Sequence, residues 1–252
     1  MKALRHLLIS LMLIFCGLKA DAQFNIRDSI HFSMIGFSGG FELPGGNLAD
    51  RFGNNFNIGI HYHYKFKSNW LVGFEGQFFF GDNVKENSFL NQYMTSDGNI
   101  ISGEGQFADV TLSERGWKFY FEGGKIFPLI GPNPNSGLLA SFGAGYIQHK
   151  IYIDTPGFVV PYLEGDYRKG YDRFTNGPML NQFLGYINFS NSKRINFYAG
   201  LNFTEGFTQN RRAMNFDTGL KDNTKRFDLL IGFRIGWIFP LYKRMADQIY
   251  FN

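Results

Sequence analysis

The chain has 252 residues, a formal net charge of +4, 30 phenylalanines, 31 glycines and a single cysteine. Three basic residues and one acidic residue lie within the first 22 positions, so the charge without them falls to +2, which gives no support to a nucleic-acid partner. Because Cys16 is the only cysteine and lies in that segment, disulfides, thiol catalysis and cysteine metal sites are excluded from the rest of the chain.

The N-terminal segment has the pattern of a secretory signal peptide. Two basic residues precede an apolar run at 7–15, and a small-x-small cleavage site follows at 20–22. The apolar run is too short to cross a bilayer as a helix. A lipoprotein leader with Cys16 as the lipidated residue is the alternative, and the bulky residue before the cysteine disfavours it. We expect residues 1–22 to be removed and residues 23–252 to form one domain.

Eight segments of alternating apolar and polar residues follow. They are 32–41, 55–66, 69–80, 116–127, 138–149, 180–189, 194–207 and 226–239. Residues two apart in a strand share a face, so each segment has one apolar, often aromatic face and one polar, charged or small face. A length of about ten to twelve residues suits a tilted strand that crosses hydrocarbon. A soluble β-sandwich shares the alternation, but its core would not accept the charged faces unpaired.

The connections between these segments alternate between long and short. In order they are 42–54, 66–68, 81–115, 128–137, 150–179, 190–193 and 208–225. All eight prolines, at 44, 128, 132, 134, 156, 161, 178 and 240, fall in connections or beyond the last full strand. Short periplasmic turns and long outer loops are typical of outer-membrane barrels. The sequence therefore predicts an all-β fold, a transmembrane antiparallel up-and-down β-barrel of eight strands in the lipid bilayer of the outer membrane, with four long outer loops, both termini periplasmic and a periplasmic tail at 241–252.

The polar faces of the strands should fill the barrel, because eight strands enclose no water-filled channel of useful width. The charged residues of this predicted interior network are Glu75, Lys118, Glu122, Arg226, Asp228 and Arg234. We expect both glutamates to pair with Arg234 near mid-depth, and Asp228 to pair with Arg226 or Lys118 nearer the outer end. The alternative interpretation of the same residues is a path for protons or ions.

The histidines are the candidate residues for a metal site or a catalytic site. His61 and His63 share the inner face, but two ligands without a third do not make a metal site. His31 and Ser33 could serve as base and nucleophile, but they open the first strand at the periplasmic end, away from outer-leaflet lipid. His149 lies near the outer rim without a serine or paired carboxylate near it in sequence. We therefore predict no catalytic residue, no cofactor and no metal.

Charge is unevenly divided among the predicted outer loops. The loop 81–115 is mainly acidic and the loop 208–225 is mainly basic. The two either pair across the rim, or the basic loop contacts lipopolysaccharide phosphates or an acidic protein surface. The loop 150–179 is rich in aromatic residues and turn formers, and we expect it to be ordered and to cover part of the mouth.

Several motifs resemble the PorG-type barrel of the type IX secretion system. They are LADRFGNNFNIGIHYHYKFKSNWLVGFEGQFFFGDNV at 48–84, SERGW at 113–117, NPNSG at 133–137, GYIQHK at 145–150, GDYRKGYDRFTNG at 165–177, INFYAG at 195–200, RRAMNFD at 211–217 and GWIFPLYKR at 236–244. The resemblance covers most of the chain after the leader, and none of these motifs has a known chemical role. It implies an eight-stranded outer-membrane protein that helps to assemble or anchor the secretion machinery. The implied partner is a periplasmic ring of the PorK and PorN type, or of the GldK and GldN type in gliding relatives.

A periplasmic ring would meet the short turns and the tail. Pro132 and Pro134 stiffen one turn, and Tyr242, Tyr250 and Phe251 are aromatic residues of the kind that anchor interfaces. The alternative for both is structural, as a stiff turn and as aromatics in the inner-leaflet interface. The leading hypothesis is a non-enzymatic component of type IX secretion, and of gliding where relatives glide. A general outer-membrane barrel in envelope stability or adhesion, or a lipid-modifying enzyme, are the alternatives.

Overall fold

The computed structural model describes residues 28–191 and 195–242. The predicted signal peptide, Tyr250, Phe251 and part of the turn 190–193 lie outside the described residues. Eight long antiparallel strands close into a barrel in which each strand pairs with its neighbours along the chain and the last strand pairs with the first. This is the predicted eight-stranded up-and-down order.

The strands in chain order are β1 (Phe32–Gly46), β2 (Asn55–Lys65), β3 (Trp70–Gly81), β4 (Ile100–Ile101), β5 (Phe107–Ala108), β6 (Thr111–Phe127), β7 (Gly137–Asp154), β8 (Thr175–Phe189), β9 (Asn196–Asn210) and β10 (Lys225–Leu241). Only β4 and β5 lie outside the barrel, as a small hairpin in a loop. Helix α1 (Asn47–Arg51) follows β1, and short 3₁₀ helices occupy Ser88–Tyr93, Pro161–Leu163 and Tyr167–Gly170. Among the described residues, no helix is long and apolar enough to cross a bilayer.

The two ends of the barrel differ. At one end, which we call the turn end, lie the connections 66–69, 128–136 and 190–195 and both described termini. At the other, the loop end, lie the connections 47–54, 82–110, 155–174 and 211–224. The long and short connections therefore alternate as the sequence predicts.

Several strands are longer than the alternation alone indicates. β6 begins at Thr111 rather than at 116, β7 ends at Asp154 rather than at 149, and β8 begins at Thr175 rather than at 180. All three extensions lie at the loop end. There the outward positions carry polar and charged residues, which interrupts the hydrophobic pattern without interrupting backbone pairing.

The expectation that every proline lies outside the strands is wrong at three positions. Pro44 and Pro240 lie close to the ends of β1 and β10, where proline is tolerated. Pro178 lies inside β8, but the pairing of β8 with β9 passes directly from Asn176 to Met179. The missing proline N–H therefore coincides with a local gap in the ladder.

The barrel has a polar interior and an apolar exterior. Lys65, Glu75, Lys118 and Arg234 are at most 3% exposed, whereas large apolar side chains cover the outside. Exposed examples are Phe37, Leu43, Phe56, Ile58, Ile60, Trp117, Phe121, Phe142, Leu184, Leu201, Phe233 and Ile235. This is the reverse of the distribution in a water-soluble protein.

Apolar clusters close both ends of the lumen. At the turn end, Phe32, Leu71 and Phe189 belong to one buried cluster. At the loop end, Leu48 and Phe52 pack with residues of the folded loops in another. The loop-end cluster also includes Phe89, Leu90, Ile100, Val160, Leu163 and Tyr171. The third loop thus covers part of the mouth, as predicted, and the buried charges lie between the two clusters.

Candidate functional site

The middle of the interior is built around Arg234 on β10. Its Nη1 donates to Glu75 Oε2 on β3 at 2.8 Å and to the hydroxyl of Tyr120 on β6. Its guanidinium carbon lies 4.5 Å from the centre of the Phe183 ring. The predicted pair of Glu75 with Arg234 is therefore present. A buried ion pair of this kind depends on the further hydrogen bonds that satisfy both partners.

Glu122 pairs with a histidine, and the expectation that it pairs with Arg234 is wrong. Its Oε1 lies 2.7 Å from His63 Nε2, and its Oε2 accepts a hydrogen bond from Ser141 Oγ at 2.8 Å. The reason lies in the strand register, in which Gly73 stands between the two residues, opposite Glu122 on one side and opposite His63 on the other. Because glycine has no side chain, the carboxylate and the imidazole meet across it.

Lys118 pairs with Glu42 rather than with Asp228. Its Nζ donates to both carboxylate oxygens, at 2.7 and 2.8 Å, and both side chains are buried. Sequence reasoning assigned Glu42 to the first outer loop. β1 continues beyond Glu42, however. The alternating polar or small residues Ser38, Gly40 and Glu42 were the sequence pattern that could have placed Glu42 on the inward face of this strand.

Asp228 pairs with His149 on β7, so the predicted pairing with Arg226 or Lys118 is wrong. Its Oδ2 lies 3.0 Å from His149 Nε2 and accepts a hydrogen bond from Thr208 Oγ1 at 2.5 Å. Arg226 instead binds Asp222, four residues earlier in the chain. Arg226 is the second residue of β10, so its long side chain reaches the preceding loop more easily than it reaches the enclosed Asp228.

The Asp228 pair does not form a catalytic triad. The hydroxyl of Thr208 donates to the carboxylate, not to the imidazole, so the histidine has no nucleophile to activate. Phe52 stands edge-on to the His149 ring, with 5.7 Å between ring centres. Both members of the pair are enclosed beneath the loop-end apolar cluster, away from any surface where a substrate could bind.

A small cavity lies beside the central network. It has a volume of about 20 Å³ and is lined by His61, His63, Glu122, Tyr198 and Arg234, among others. This volume accommodates a single water molecule. The two histidine rings are 5.1 Å apart, and no group of three histidine or carboxylate side chains in the described ranges is arranged to hold a metal ion.

Four side chains from four connections form what we call the rim cluster: Arg51, Glu86, Arg173 and Asp217. Arg51 Nε donates to Glu86 at 2.7 Å, and Arg173 Nε donates to Glu86 at 2.8 Å. Arg173 also binds Asp217 through two hydrogen bonds, at 2.9 and 2.6 Å. Such bidentate pairs are the strong ones. The rim cluster therefore ties all four loops of the loop end together.

The second and fourth loops were expected to pair directly with each other, but each of them pairs with the third loop instead. Arg173 of the third loop binds Glu86 of the second, and Arg212 of the fourth loop donates to Asp172 of the third at 2.8 Å. Arg173 has a φ of 50°, a strained value for a non-glycine residue, and its three charged hydrogen bonds hold it there. The third loop is consequently the one to which the second and fourth loops are bound.

The rim carboxylates are held in their charged form. Burial alone would raise the pKa of Glu86, but the adjacent Arg51 and Arg173 outweigh it, so its pKa is lowered. Burial likewise opposes ionisation of Asp217, and the Arg173 guanidinium prevails there as well, so that the pKa of Asp217 is also lowered.

The turn end is sealed by polar groups around Lys65. Its Nζ donates to Asn135 Oδ1 at 2.8 Å, to the Ile30 carbonyl at 3.0 Å and to Ser29 Oγ at 3.2 Å. No carboxylate pairs with it among the residues that the structure describes. The lysine thus uses neutral acceptors to bind the N-terminal lead-in and the turn 128–136 to the barrel wall.

The turn 128–136 is folded inward on one side and exposed on the other. Asn69 Nδ2 donates to the carbonyl of Pro134 at 2.9 Å, so this proline is held against the barrel, whereas Pro132 is exposed. Two large apolar residues of the turn, Leu129 and Ile130, are exposed at 75% and 66%. Sequence reasoning missed these two residues because a pair of aliphatic residues in a turn carries no pattern.

Tyr242 was expected to be an exposed aromatic residue, and the expected exposure is wrong. Its ring packs on Phe32 at the turn end, with 5.0 Å between ring centres, and the side chain is half-buried. The other two predicted aromatic anchors lie outside the described residues. Leu129 and Ile130 are the exposed aliphatic pair that the turn 128–136 contributes to this end.

No family model matches the chain, and no curated protein matches it. Solved structures to which it is similar include the Ail protein of Yersinia pestis in complex with a heparin analogue, with 12% identity, a TM-score of 0.37 and coverage of 82% of this chain and 99% of that one. OprG of Pseudomonas aeruginosa has 12% identity, a TM-score of 0.38 and coverage of 86% and 99%. Neisserial surface protein A has 14% identity, a TM-score of 0.34 and coverage of 81% and 96%. Likeness this distant carries no conclusion on function, which has to come from this chain's own residues.

Proposed function

We propose that the protein is a non-enzymatic outer-membrane barrel that anchors or helps to assemble the periplasmic ring of a type IX secretion machinery. Three features support this: an apolar exterior, a filled lumen and a turn-end projection formed by the exposed residues Leu129 and Ile130. The sequence resemblance to PorG-type barrels supplies the identity of the ring, of the PorK and PorN type.

The exterior supports a location in the bilayer. Apolar side chains such as Phe121 and Leu184 are exposed at 65% and 58%, and a surface of this extent is stable in lipid rather than in water. A closed barrel also leaves no unpaired strand edge in the hydrocarbon. With even strand number, the short turns and both termini face the periplasm, so the turn end is the periplasmic end.

The filled lumen supports a role as anchor rather than as conduit. The layers around Arg234 and Lys118 occupy the centre of the barrel, and apolar clusters close both ends. A protein cargo cannot pass through such an interior, because eight strands leave space only for side chains.

The single observation that carries the docking role is the exposure of Leu129 and Ile130. The turn that bears them is stiffened by prolines and bonded to the barrel through Asn133 and Asn135, which lowers the entropy lost on binding. Asn133 Nδ2 donates to the Phe189 carbonyl at 2.5 Å. Two exposed aliphatic residues on a fixed support suit the apolar centre of a protein interface.

The test compares two double variants with the same chemical change at opposite ends of the barrel. L129S/I130S removes the turn-end projection, whereas V159S/L220S removes two exposed aliphatic residues at the loop end, at 53% and 70%. We expect the first variant to lose co-purification with the ring and secretion of cargo, and the second to retain both. Normal ring recovery from L129S/I130S would refute the anchor role.

The loop end favours the second candidate function, a barrel whose outer loops bind a surface ligand in adhesion or envelope stability. Tyr167 and Phe107 are exposed there at 63% and 65% on loops tied by the rim cluster. Lys221 in the fourth loop and Lys225 at the start of β10 are exposed as well, and lipopolysaccharide phosphates are the ligand that we propose for them. Loss of ligand binding or envelope integrity in V159S/L220S, with secretion intact in both variants, would favour this function.

A further inference from the structure

A groove lies on the outside of the barrel where β3 and β6 meet. Its floor is at Gly123, which faces outward and stands opposite Val72 on β3 and Phe142 on β7. Apart from its chain neighbours, the only atom that an added Cβ at Gly123 would meet within 4 Å is the Leu71 carbonyl oxygen, at 3.9 Å. The groove has a volume of about 540 Å³, which falls within the range of ligand pockets, about 300–1,000 Å³.

Aromatic rings form the two sides of this groove. Tyr64 and Phe74 stand on one side, and Phe121 and Phe142 stand on the other. In the row of residues through Gly123, the backbones of Tyr64 and Phe142 are three strand spacings apart, or about 14 Å. Their rings take up part of that width, so the space left is narrower than a helix with its side chains, which is about 10–12 Å across. The groove therefore admits a hydrocarbon chain but not a membrane helix.

The groove lies in the half of the barrel that is nearer to the turn end. Val72 is the third residue of β3, and Gly123 lies four residues before the end of β6. The next outward residue after Gly123 is Lys125, which stands opposite Trp70. Trp70 is 53% exposed, and a tryptophan at the end of a membrane strand marks the level of the lipid headgroups. One end of the groove therefore opens at the headgroups of the leaflet on the turn-end side.

Two lysines make this open end of the groove positive. Lys125 Nζ donates to the Ser68 carbonyl at 2.7 Å and lies 5.2 Å from the centre of the Trp70 ring, which holds the amine at headgroup level. Lys67 precedes Ser68 in the same turn and is exposed. No carboxylate pairs with either lysine within the ranges that the structure describes. Because an ammonium group has three donors, Lys125 can bind an anion while it keeps its bond to the turn.

We propose that this groove binds an anionic phospholipid, with one acyl chain between the aromatic sides and the phosphate on Lys125 and Lys67. Such a lipid has the two properties that the site matches, an anion at headgroup level and a hydrocarbon chain below it. Lysine donates charge-assisted hydrogen bonds to phosphate, and the chain packs on the rings. The inference rests on the bilayer location proposed above but not on the secretion role. In that orientation the site lies in the periplasmic leaflet, opposite to the leaflet of lipopolysaccharide.

The first experiment fills the groove and measures lipid binding to the full-length protein in detergent by native mass spectrometry. The probes are dioleoyl phosphatidylglycerol, dioleoyl phosphatidylcholine and oleate. We expect the wild type to retain phosphatidylglycerol and G123F to lose it. The matched control is G76F, because Gly76 also faces outward, with Phe119 Cδ2 at 3.8 Å from an added Cβ, but does not line the groove. G76F should bind as the wild type does, and the heat-induced gel shift should show an intact barrel in both variants.

The second experiment removes the charge at the open end. K125Q should bind phosphatidylglycerol about fivefold more weakly, since one lysine at a membrane surface contributes about that factor, and should bind phosphatidylcholine as the wild type does. The matched control is K85Q at the loop end, because Lys85 Nζ also donates to a backbone carbonyl, that of Ala49, at 2.6 Å.

Three results would overturn the proposal: retention of phosphatidylglycerol by G123F, equal affinity of the wild type for the two phospholipids, or oleate binding as tightly as phosphatidylglycerol. A protein that shows the gel shift but retains no phosphatidylglycerol would refute this inference alone. A water-soluble protein would refute the bilayer location as well. Failure of L129S/I130S to affect secretion would leave the lipid site standing.

Discussion

Gly73 shows how a single residue decides which charges meet inside the barrel. It lies in one row of the wall between His63 and Glu122, and a Cβ added there would lie 2.1 Å from the Tyr62 carbonyl oxygen and 2.5 Å from His63 Cδ2. The carbonyl belongs to the backbone and cannot move aside without disturbing the ladder. The absence of a side chain is therefore what allows the imidazole to reach the carboxylate.

We predict that G73A lowers the free energy of unfolding by about 1–3 kcal/mol, the usual range for overpacking. The matched control is G76A on the same strand, because Gly76 faces outward and the nearest atom to an added Cβ is Phe119 Cδ2 at 3.8 Å. Urea unfolding in vesicles, followed by the heat-induced gel shift, measures both. Equal stability of the two variants would contradict the role given to Gly73.

At the level of elements, the loops of the loop end behave as one unit because the rim cluster joins them. Arg51 is delivered by helix α1, Glu86 by the loop after β3, and Arg173 and Asp217 by the next two loops. The sign of the pH dependence follows from the lowered pKa values of Glu86 and Asp217. A carboxylate whose pKa is lowered by folding stabilises the folded loops above its ordinary pKa, and this stabilisation is lost as the pH falls through the folded value.

Acidification should therefore release the loops while the strands stay paired. Between pH 6 and pH 3, we expect the amide protection factors, which compare the observed exchange with the intrinsic rate at each pH, to fall in 82–110 and 155–174 and to stay high in β2 and β3. E86Q should show part of this loss of protection already at pH 6, because it removes the charge that both arginines bind. Unchanged loop protection at pH 3 would show that the rim ion pairs are not what holds the loops.

For the whole molecule, the property that decides whether ions or proteins can pass through the barrel is the filling of the lumen along its length. Lys65 with Asn135 seals the turn end, Arg234 and Lys118 with their carboxylates fill the centre, and the loop-end apolar cluster lies above them. Buried charges of this kind persist because each has hydrogen-bonding partners.

We predict that the purified protein in planar lipid bilayers produces no large steady conductance. The insertion control is the heat-induced gel shift of the same preparation, which a membrane barrel shows and a water-soluble protein does not. Steady openings of ion-channel size would contradict the filled interior, and a water-soluble protein without a gel shift would contradict the bilayer location.

The sequence by itself determined the strands, their number and the rhythm of long and short connections. These properties depend on the alternation of neighbouring residues, as in 55–66 and 226–239, and alternation is local. It also placed the charged residues on the inward face, Glu75, Lys118 and Arg234 among them, since facing depends only on odd or even position along a strand.

Only the tertiary structure decided which inward residues meet. Partners such as Lys118 and Glu42, or His149 and Asp228, are distant in the chain, and their contact depends on strand register and on how far each strand continues beyond the apolar alternation. The inward fold of the turn 128–136, which exposes Leu129 and Ile130, likewise depends on hydrogen bonds to Lys65, Asn69 and Phe189. Register and closure are properties of all eight strands together, so no local pattern contains them.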